Sequence, residues 1–130
     1  MAGRVLFFIH SGGYEPAFSA ASMGITAAAM GDEVYFVFAF DALRQLARDT
    51  FGTANTEREI SESARAKGLG VPPPAQMLQE ARQMGGRCVA CDTTVKICGL
   101  TADELGPRLD EVLGLASLWR LTEGARVLVF

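Results

Sequence analysis

Residues 4–40, which read RVLFFIHSGGYEPAFSAASMGITAAAMGDEVYFVFAF, decide the fold of this chain. Residues 4–9 form a continuous β-branched and aromatic run, typical of a strand that is buried on both faces. Residues 33–40 form a second run of the same kind. Between the two runs, residues 11–13 supply a flexible turn, and Pro16 suits the first turn of a helix. A strand, a helix and a strand at this spacing predict a right-handed βαβ unit with parallel strands.

The remainder of the chain continues this alternation. Thr56 and Glu59 match a capping box, which predicts a helix start. Only Ile60 and a few alanines give this helix an apolar stripe, so we expect it to dock weakly. We therefore expect residues 51–74 to form a variable, mobile segment. The further predicted elements are a short helix capped by Asp41 and ending before Gly52, helices over 57–67, 75–84, 93–98 and 115–123, a capped turn over 101–104, and strands over 87–91 and 126–130. The sequence therefore predicts one α/β domain over residues 1–130.

Composition and charge limit the classes of partner. The chain has 130 residues, 49% of them apolar, which is enough for one domain with a sizeable core. The formal net charge is −3 and Lys and Arg do not cluster, which argues against nucleic acid or an anionic membrane as the main partner. The N-terminal apolar run is too short for a signal peptide, and no stretch is long enough to span a bilayer. We therefore expect a cytoplasmic protein whose three cysteines are reduced thiols.

Cys91 is the leading candidate for a chemically active residue. It lies where the predicted strand 87–91 meets a polar cluster that is typical of a helix start, and the free N–H groups of a helix start favour the thiolate form of such a residue. In parallel α/β sheets, ligands bind at the carboxyl ends of the strands. The candidate site residues at these ends, with Cys91 as the catalytic residue, are His10, Ser11, Gly12, Tyr14, Phe40, Asp41, Cys91, Asp92, Thr93 and Thr94.

Several segments resemble one known family. Residues 89–105, VACDTTVKICGLTADEL, are similar to the DsrE/DsrF-like superfamily pattern of Ala-Cys, two residues, Ser/Thr, then Gly-Leu and an acidic-Leu pair. The first βαβ unit and the closing helix and strand resemble the same superfamily, and the resemblance covers nearly the full length. The segments that carry this further resemblance are FFIHSG (7–12), AAMGDEV (28–34), FAF (38–40), GLA (114–116) and ARVLVF (125–130).

This resemblance implies a three-layer, flavodoxin-like (DsrEFH-like) α/β fold, with a mostly parallel sheet of four to five strands and helices on both faces. It also implies sulfur relay through a persulfide on Cys91. The sequence is most similar to the peroxiredoxin-like DsrE branch, in which the position of Cys98 is more often Met. The resemblance further implies a homo-oligomer, a trimer or a hexamer, and TusA-type sulfur carriers or rhodaneses as partners.

Other interpretations of these residues remain open at the level of sequence. Cys91 would alternatively be a small buried residue in a non-catalytic or ligand-binding module, and Cys88 is expected in the core. His10 would be either an acid–base partner for Cys91 or a residue that satisfies local backbone groups. A dithiol or zinc site would require Cys88, Cys91, Cys98 and His10 to meet. Neither GxGxxG nor GxxxxGK is present, so no cofactor is expected.

Overall fold

A parallel five-stranded sheet forms the centre of the computed structural model, which describes residues 3–130. The strand order across the sheet is β4-β3-β2-β1-β5, and every neighbouring pair is parallel. The strands are β1 (Arg4–Ile9), β2 (Glu33–Phe38), β3 (Arg87–Cys91), β4 (Glu111–Leu113) and β5 (Ala125–Val129).

Helices connect the strands and cover the sheet in a three-layer α/β arrangement. The helices are α1 (Tyr14–Ala29), α2 (Phe40–Ala47), α3 (Glu57–Gly68), α4 (Pro74–Gln83), α5 (Asp92–Ile97), α6 (Ala102–Leu105) and α7 (Leu115–Leu121), with a 3-10 turn at Gly106–Arg108. Within residues 3–130, every helix is too short or too polar to cross a bilayer.

The two faces of the sheet are covered unequally. On the face that we call the major face, Phe7, Phe36 and Phe38 are buried beneath the alanine-rich α1 and beneath α2 and α4. On the opposite face, which we call the α7 face, a smaller core is formed by Leu6, Val37, Val89 and Leu118 of α7. Because successive strand residues point to opposite sides, the near-continuous apolar runs of β1 and β2 supply both cores.

The handedness of the crossover connections explains this inequality. The chain moves from β1 through β2 and β3 to β4 in one direction across the sheet, so right-handed connections place the intervening helices on one face. The connection from β4 to β5 returns in the opposite direction, so the same rule places α7 on the other face. The α7 face is therefore covered by a single seven-residue helix.

Three sequence predictions at this level need correction. The second strand ends at Phe38 instead of Phe40, and α2 begins at Phe40. Asp41 does not cap α2, because the N-cap is Ala39 and no side chain bonds there. Asp41 lies in the first turn, where its carboxylate accepts the Gly12 N–H at 2.8 Å. The third correction is the strand β4, which was not predicted.

The other element predictions are correct to within two residues at most boundaries. The capping box is confirmed, because the Thr56 hydroxyl accepts the Glu59 N–H and the Glu59 carboxylate accepts the Thr56 N–H. The capped turn is confirmed as well, since Thr101 caps α6. The helix α3 contains no buried residue, so its contact with the domain is as slight as its weak apolar stripe predicts.

Gly24 provides a test of how closely α1 packs on the sheet. A Cβ at Gly24 would overlap the ring of the fully buried Phe36. We expect Gly24→Ala to destabilise the protein by roughly 1–3 kcal/mol, because overpacking outweighs a gain of about 1 kcal/mol in helix propensity. Urea unfolding would measure the change. Gly68→Ala in α3, where a Cβ meets no atom within 4 Å, is the matched control and should be neutral or stabilising. Equal effects of the two substitutions would contradict the close packing.

Candidate functional site

Cys91 lies at the carboxyl edge of the sheet, where it is both the last residue of β3 and the N-cap of α5. It is a free thiol that is half-buried, and it packs against the core of the α7 face. In the parallel register, Cys91 pairs with Leu113, the last residue of β4. Gly114, which follows Leu113, is the N-cap of α7. The thiol therefore lies beside the starts of two helices.

The connections that leave β3 and β4 diverge at this point. After Cys91 the chain enters α5, whose Val95 belongs to the core of the major face. After Leu113 the chain enters α7, whose Leu118 belongs to the core of the opposite face. Adjacent parallel strands whose connections leave on opposite sides create a crevice at their carboxyl ends, and ligands of open α/β sheets bind in such crevices. This topology rule predicts that Cys91 borders such a crevice.

Asp110 holds the short edge strand β4 beside Cys91. Its N–H donates to the Cys88 carbonyl at 2.8 Å, and its carboxylate accepts the Cys88 N–H at 2.6 Å. Arg82 of α4 donates to the other carboxylate oxygen at 2.8 Å. Although partial burial raises the pKa of Asp110, the hydrogen bonds from Arg82 and from the Cys88 N–H lower it, and the net shift is downward. The ionised carboxylate is therefore the form that fixes β4.

The charge nearest to Cys91 in sequence is partly neutralised. Asp92, in the first turn of α5, forms an ion pair with Lys96 at 3.1 Å. Both side chains are exposed, and such a pair one helical turn apart contributes only about 0.3–0.5 kcal/mol. The Cys91 side chain makes no capping hydrogen bond to α5. Of the two threonines that follow, Thr93 is exposed and Thr94 is buried.

His10 lies on the same face as Cys91 but not next to it. In the register of the sheet, Phe38 of β2 pairs with Ile9 on one side and with Ala90 on the other. The next residues along the three strands are His10, Ala39 and Cys91, so Ala39 lies between His10 and Cys91. Two strand spacings separate their Cα atoms by about 10 Å, which is too far for a direct hydrogen bond. His10 instead lines a cleft of about 550 Å³ between α7 and β5.

The other predicted residues at the carboxyl edge divide into two groups. Ser11 and Gly12 form a turn that is fastened to α2, because Gly12 donates to Asp41 and a Cβ at Gly12 would lie 2.5 Å from Gln45 Cγ. Phe40 follows the β2 end, between the strand ends of His10 and Cys91, and is exposed.

The backbone of Phe40 is strained. Its φ of +47° lies in the left-handed region, which costs a residue with a Cβ about 1–2 kcal/mol. Strain of this kind often marks functional sites.

Tyr14 is not brought to Cys91. It is the first residue of α1 and is buried, with its ring 5.9 Å from that of Phe18. It lines a cleft of about 890 Å³ beneath α3, and the lining of that cleft does not include Cys91. The structure therefore separates Tyr14 from the thiol.

The cysteines do not come together as the dithiol and zinc alternative requires. Cys88 belongs to the core of the major face and Cys91 to the α7 face, as expected for strand positions three apart. Cys88 is fully buried, which confirms it as a core residue, and this burial raises its pKa to about 12. Cys98 packs against the major-face core, with Arg44 Nη1 3.7 Å from its sulfur. Cys88 and Cys98 are thus separated by the sheet from Cys91 and His10.

Two features of the site were missed by the sequence reasoning. The pairing of Leu113 with Cys91 could not be predicted, because the three-residue β4 has no apolar run of its own. The Asp92–Lys96 pair could have been found from the spacing of four residues between opposite charges on a predicted helix.

Comparison with known proteins identifies relatives of the whole chain. The sequence profile of the DsrE/DsrF-like family matches residues 3–130. Two solved structures have the same fold. The YchN protein from E. coli has a TM-score of 0.67 and 19% identity, with 100% of both chains covered. The MTH1491 protein from Methanobacterium thermoautotrophicum, described as of unknown function, has a TM-score of 0.66 and 18% identity, covering 98% of this chain and 99% of that one. No curated protein sequence is significantly similar to this chain.

The positions of the cysteines predict selective alkylation. Cys88 is fully buried, and this burial raises its pKa to about 12, so that near neutral pH it is present as an unreactive thiol. We expect iodoacetamide to modify the half-buried Cys91 and Cys98 in the folded protein and to modify Cys88 only after unfolding in urea. Peptide mass spectrometry with fragmentation would assign each site. Modification of Cys88 in the native protein as fast as Cys91 would contradict the observed packing.

Proposed function

We propose that this chain, which belongs to the DsrE/DsrF-like family, carries sulfane sulfur as a persulfide on Cys91. Membership of a family of the sulfur-relay type supports this function. We assign this role to Cys91 because it lies at the carboxyl edge of the sheet, where the connections after β3 and β4 diverge. Ligands of open α/β sheets bind at such places. The role of Cys91 as a persulfide carrier, a sulfurtransferase in the broad sense, is the part that we propose.

The transfer consists of two displacements that balance without an external oxidant. The Cys91 thiolate attacks the outer sulfur of a donor persulfide, the donor S–S bond breaks, and the donor leaves as a thiolate with the electron pair. The persulfide on Cys91 is then attacked at its outer sulfur by an acceptor thiolate. Cys91 leaves as a thiolate and is regenerated. One S–S bond forms as one breaks in each half of the cycle.

The local structure supplies the conditions that such a relay needs. Half-burial of Cys91 leaves part of the residue open to a donor while the α7-face core packs against the rest. Lys96 pairs with Asp92 and so reduces the repulsion between that carboxylate and an anionic sulfur. Asp110 fixes β4 and therefore the other border of the crevice. Protein partners that supply or accept the sulfur, of TusA or rhodanese type, would approach this carboxyl edge.

A second candidate function is a non-catalytic subunit that keeps the fold while its thiol is idle. The packing of Cys91 against the core of the α7 face favours this candidate. It differs from the first in predicting that Cys91 takes up no sulfur. In either case the three free thiols suit a reducing compartment, and we propose the cytoplasm.

We further propose that the protein forms a homo-oligomer, a trimer or a hexamer, through the α7 face. This face has one short helix over it and exposes several large apolar side chains close together. Their exposed fractions are 69% for Leu115, 75% for Trp119, 46% for Val127 and 67% for Val129. Contiguous apolar surface of this kind is uncommon on monomers and marks interaction sites. A second copy would shield it from water, and His10 lies in the same cleft.

Mass spectrometry after incubation with thiosulfate or polysulfide tests the persulfide directly. We expect wild type to gain the mass of one sulfur atom on Cys91 and to lose it on reduction, because the outer sulfur is labile. Trypsin cleaves after Arg87 and Lys96, so Cys98 lies on a different peptide from Cys91, and fragmentation separates Cys91 from Cys88.

Two substitutions serve as the comparison for this test. Cys91→Ser should abolish the added mass, whereas Cys98→Ser, the matched control, should keep it. Undiminished labelling of Cys91→Ser would refute the assignment. A wild-type protein that takes up no sulfur on Cys91 from either donor would favour the non-catalytic subunit.

Analytical ultracentrifugation tests the proposed interface. Trp119→Asp places a charge in the exposed apolar surface of the α7 face, so we expect it to shift the oligomer to monomer while leaving the fold intact. Met84→Asp is the matched control, since Met84 is also exposed but lies at the end of α4 on the other side of the sheet. A monomeric wild type, or an unchanged mass in Trp119→Asp, would reject the interface.

A further inference from the structure

The helix α3 has favourable caps and end charges but does not pack closely on the domain. Its capping box satisfies N-terminal N–H groups, and its charges match the helix dipole, with Glu57 and Glu59 in the first turn and Arg65 and Lys67 in the last. No residue of α3 is buried. The helix therefore stands over a cleft of about 890 Å³ that lies between it, the start of α1 and α4. Ligand clefts in proteins have volumes of this order.

Tyr14 presents a polar group without a partner at this cleft. The residue is only 6% exposed, and it lines the cleft from the start of α1. Every fully buried side-chain polar atom within residues 3–130 has a hydrogen-bond partner, whereas the Tyr14 hydroxyl has none, so this hydroxyl is open to the concave surface that Tyr14 lines on either side of α3, which includes this cleft. A hydroxyl on an otherwise buried ring is positioned by packing and loses little entropy when it bonds a ligand.

Two side chains of opposite charge line the cleft without pairing. Lys67 lies on the α3 side and Glu80 on the α4 side. Neither forms an ion pair within residues 3–130, and the only side chain that bonds the Glu80 carboxylate is Gln76, at 3.1 Å. The apolar part of the lining comes from Ile60, which is 57% exposed, and from Val71. The cleft thus offers a cation, an anion, a free hydroxyl and an apolar wall.

We propose that this cleft binds a small zwitterion with an apolar body, of the free amino acid class. The ligand carboxylate would bond Lys67 and the Tyr14 hydroxyl, and its ammonium group would pair with Glu80. Its apolar side chain would cover Ile60 and Val71. The prolines Pro72 and Pro73 stiffen the connector that forms part of the lining, so this part of the cleft is formed before a ligand arrives.

This site is independent of the proposed persulfide. Cys91 does not line the cleft, and its side chain lies on the opposite face of the sheet from α1 and α4. Binding in the cleft and sulfur uptake on Cys91 are therefore separate properties. Either one can fail in an experiment without deciding the other.

Titration of the isotope-labelled protein by NMR, with L-leucine, L-methionine and L-phenylalanine as probes, tests the site. We expect at least one probe to bind saturably, with the largest shifts in the residues that line the cleft. The matched analogues of phenylalanine, 3-phenylpropionate without the ammonium group and phenethylamine without the carboxylate, should bind at least about tenfold more weakly, because each leaves one charge of the cleft unpaired.

Three substitutions separate this site from nonspecific binding. Tyr14→Phe keeps the packed ring and should weaken binding about fivefold or more, and Lys67→Gln and Glu80→Gln should weaken it at least as much. Arg58→Gln, on α3 but outside the cleft lining, should leave the affinity unchanged. No saturable shift with any of the three probes up to millimolar concentration, or equal affinity of Tyr14→Phe and wild type, would overturn the proposal.

Discussion

The right-handed crossover between parallel strands is the constraint on which the rest of this structure depends. Four strands follow one another across the sheet, so their connections all lie on the major face. The single return from β4 to β5 sends α7 to the other face. One rule of chain geometry therefore produces a thickly covered face, a thinly covered face, and the crevice between β3 and β4 where the two sets of connections separate.

Side chains alternate between the two faces along each strand, and this alternation decides on which face Cys88, Cys91 and His10 lie. Cys88 and Cys91 are only three positions apart in β3, yet the first is enclosed in the major core and the second lies on the thin face at the crevice. The same alternation places His10 on the α7 face. The reactive candidate is thus kept apart from the other two thiols, so a persulfide on Cys91 would have no neighbouring thiol within the chain to take its sulfur.

The carboxyl edge of the sheet is fixed by polar contacts between distant parts of the chain. Asp41 fastens the turn after β1 to α2, and Asp110 fastens β4 to β3 while Arg82 holds its carboxylate. The helix α3 itself has no buried residue, and the segment that carries it is anchored at its two ends, by the buried Phe51 and the Gly52 N–H bond to Gly12 on one side and by the buried Pro74 on the other. A rigid edge around Cys91 and a loosely docked helix over Tyr14 are therefore features of the same domain.

The sequence by itself determined the α/β class, four of the five strands, the capping box of α3, the capped turn at Thr101 and the position of Cys91 between a strand end and a helix start. These features follow from the periodicity of apolar residues and from hydrogen bonds between residues three or four positions apart. Both depend only on neighbouring residues in the sequence. Only the tertiary structure decided the strand β4, the role of Asp41 and the removal of Tyr14 from the thiol. The strand β4 exists because Asp110 bonds Cys88, 22 residues earlier, and Asp41 meets Gly12 across 29 residues. Contacts over such separations depend on how the strands are ordered in space, and no local pattern carries that information.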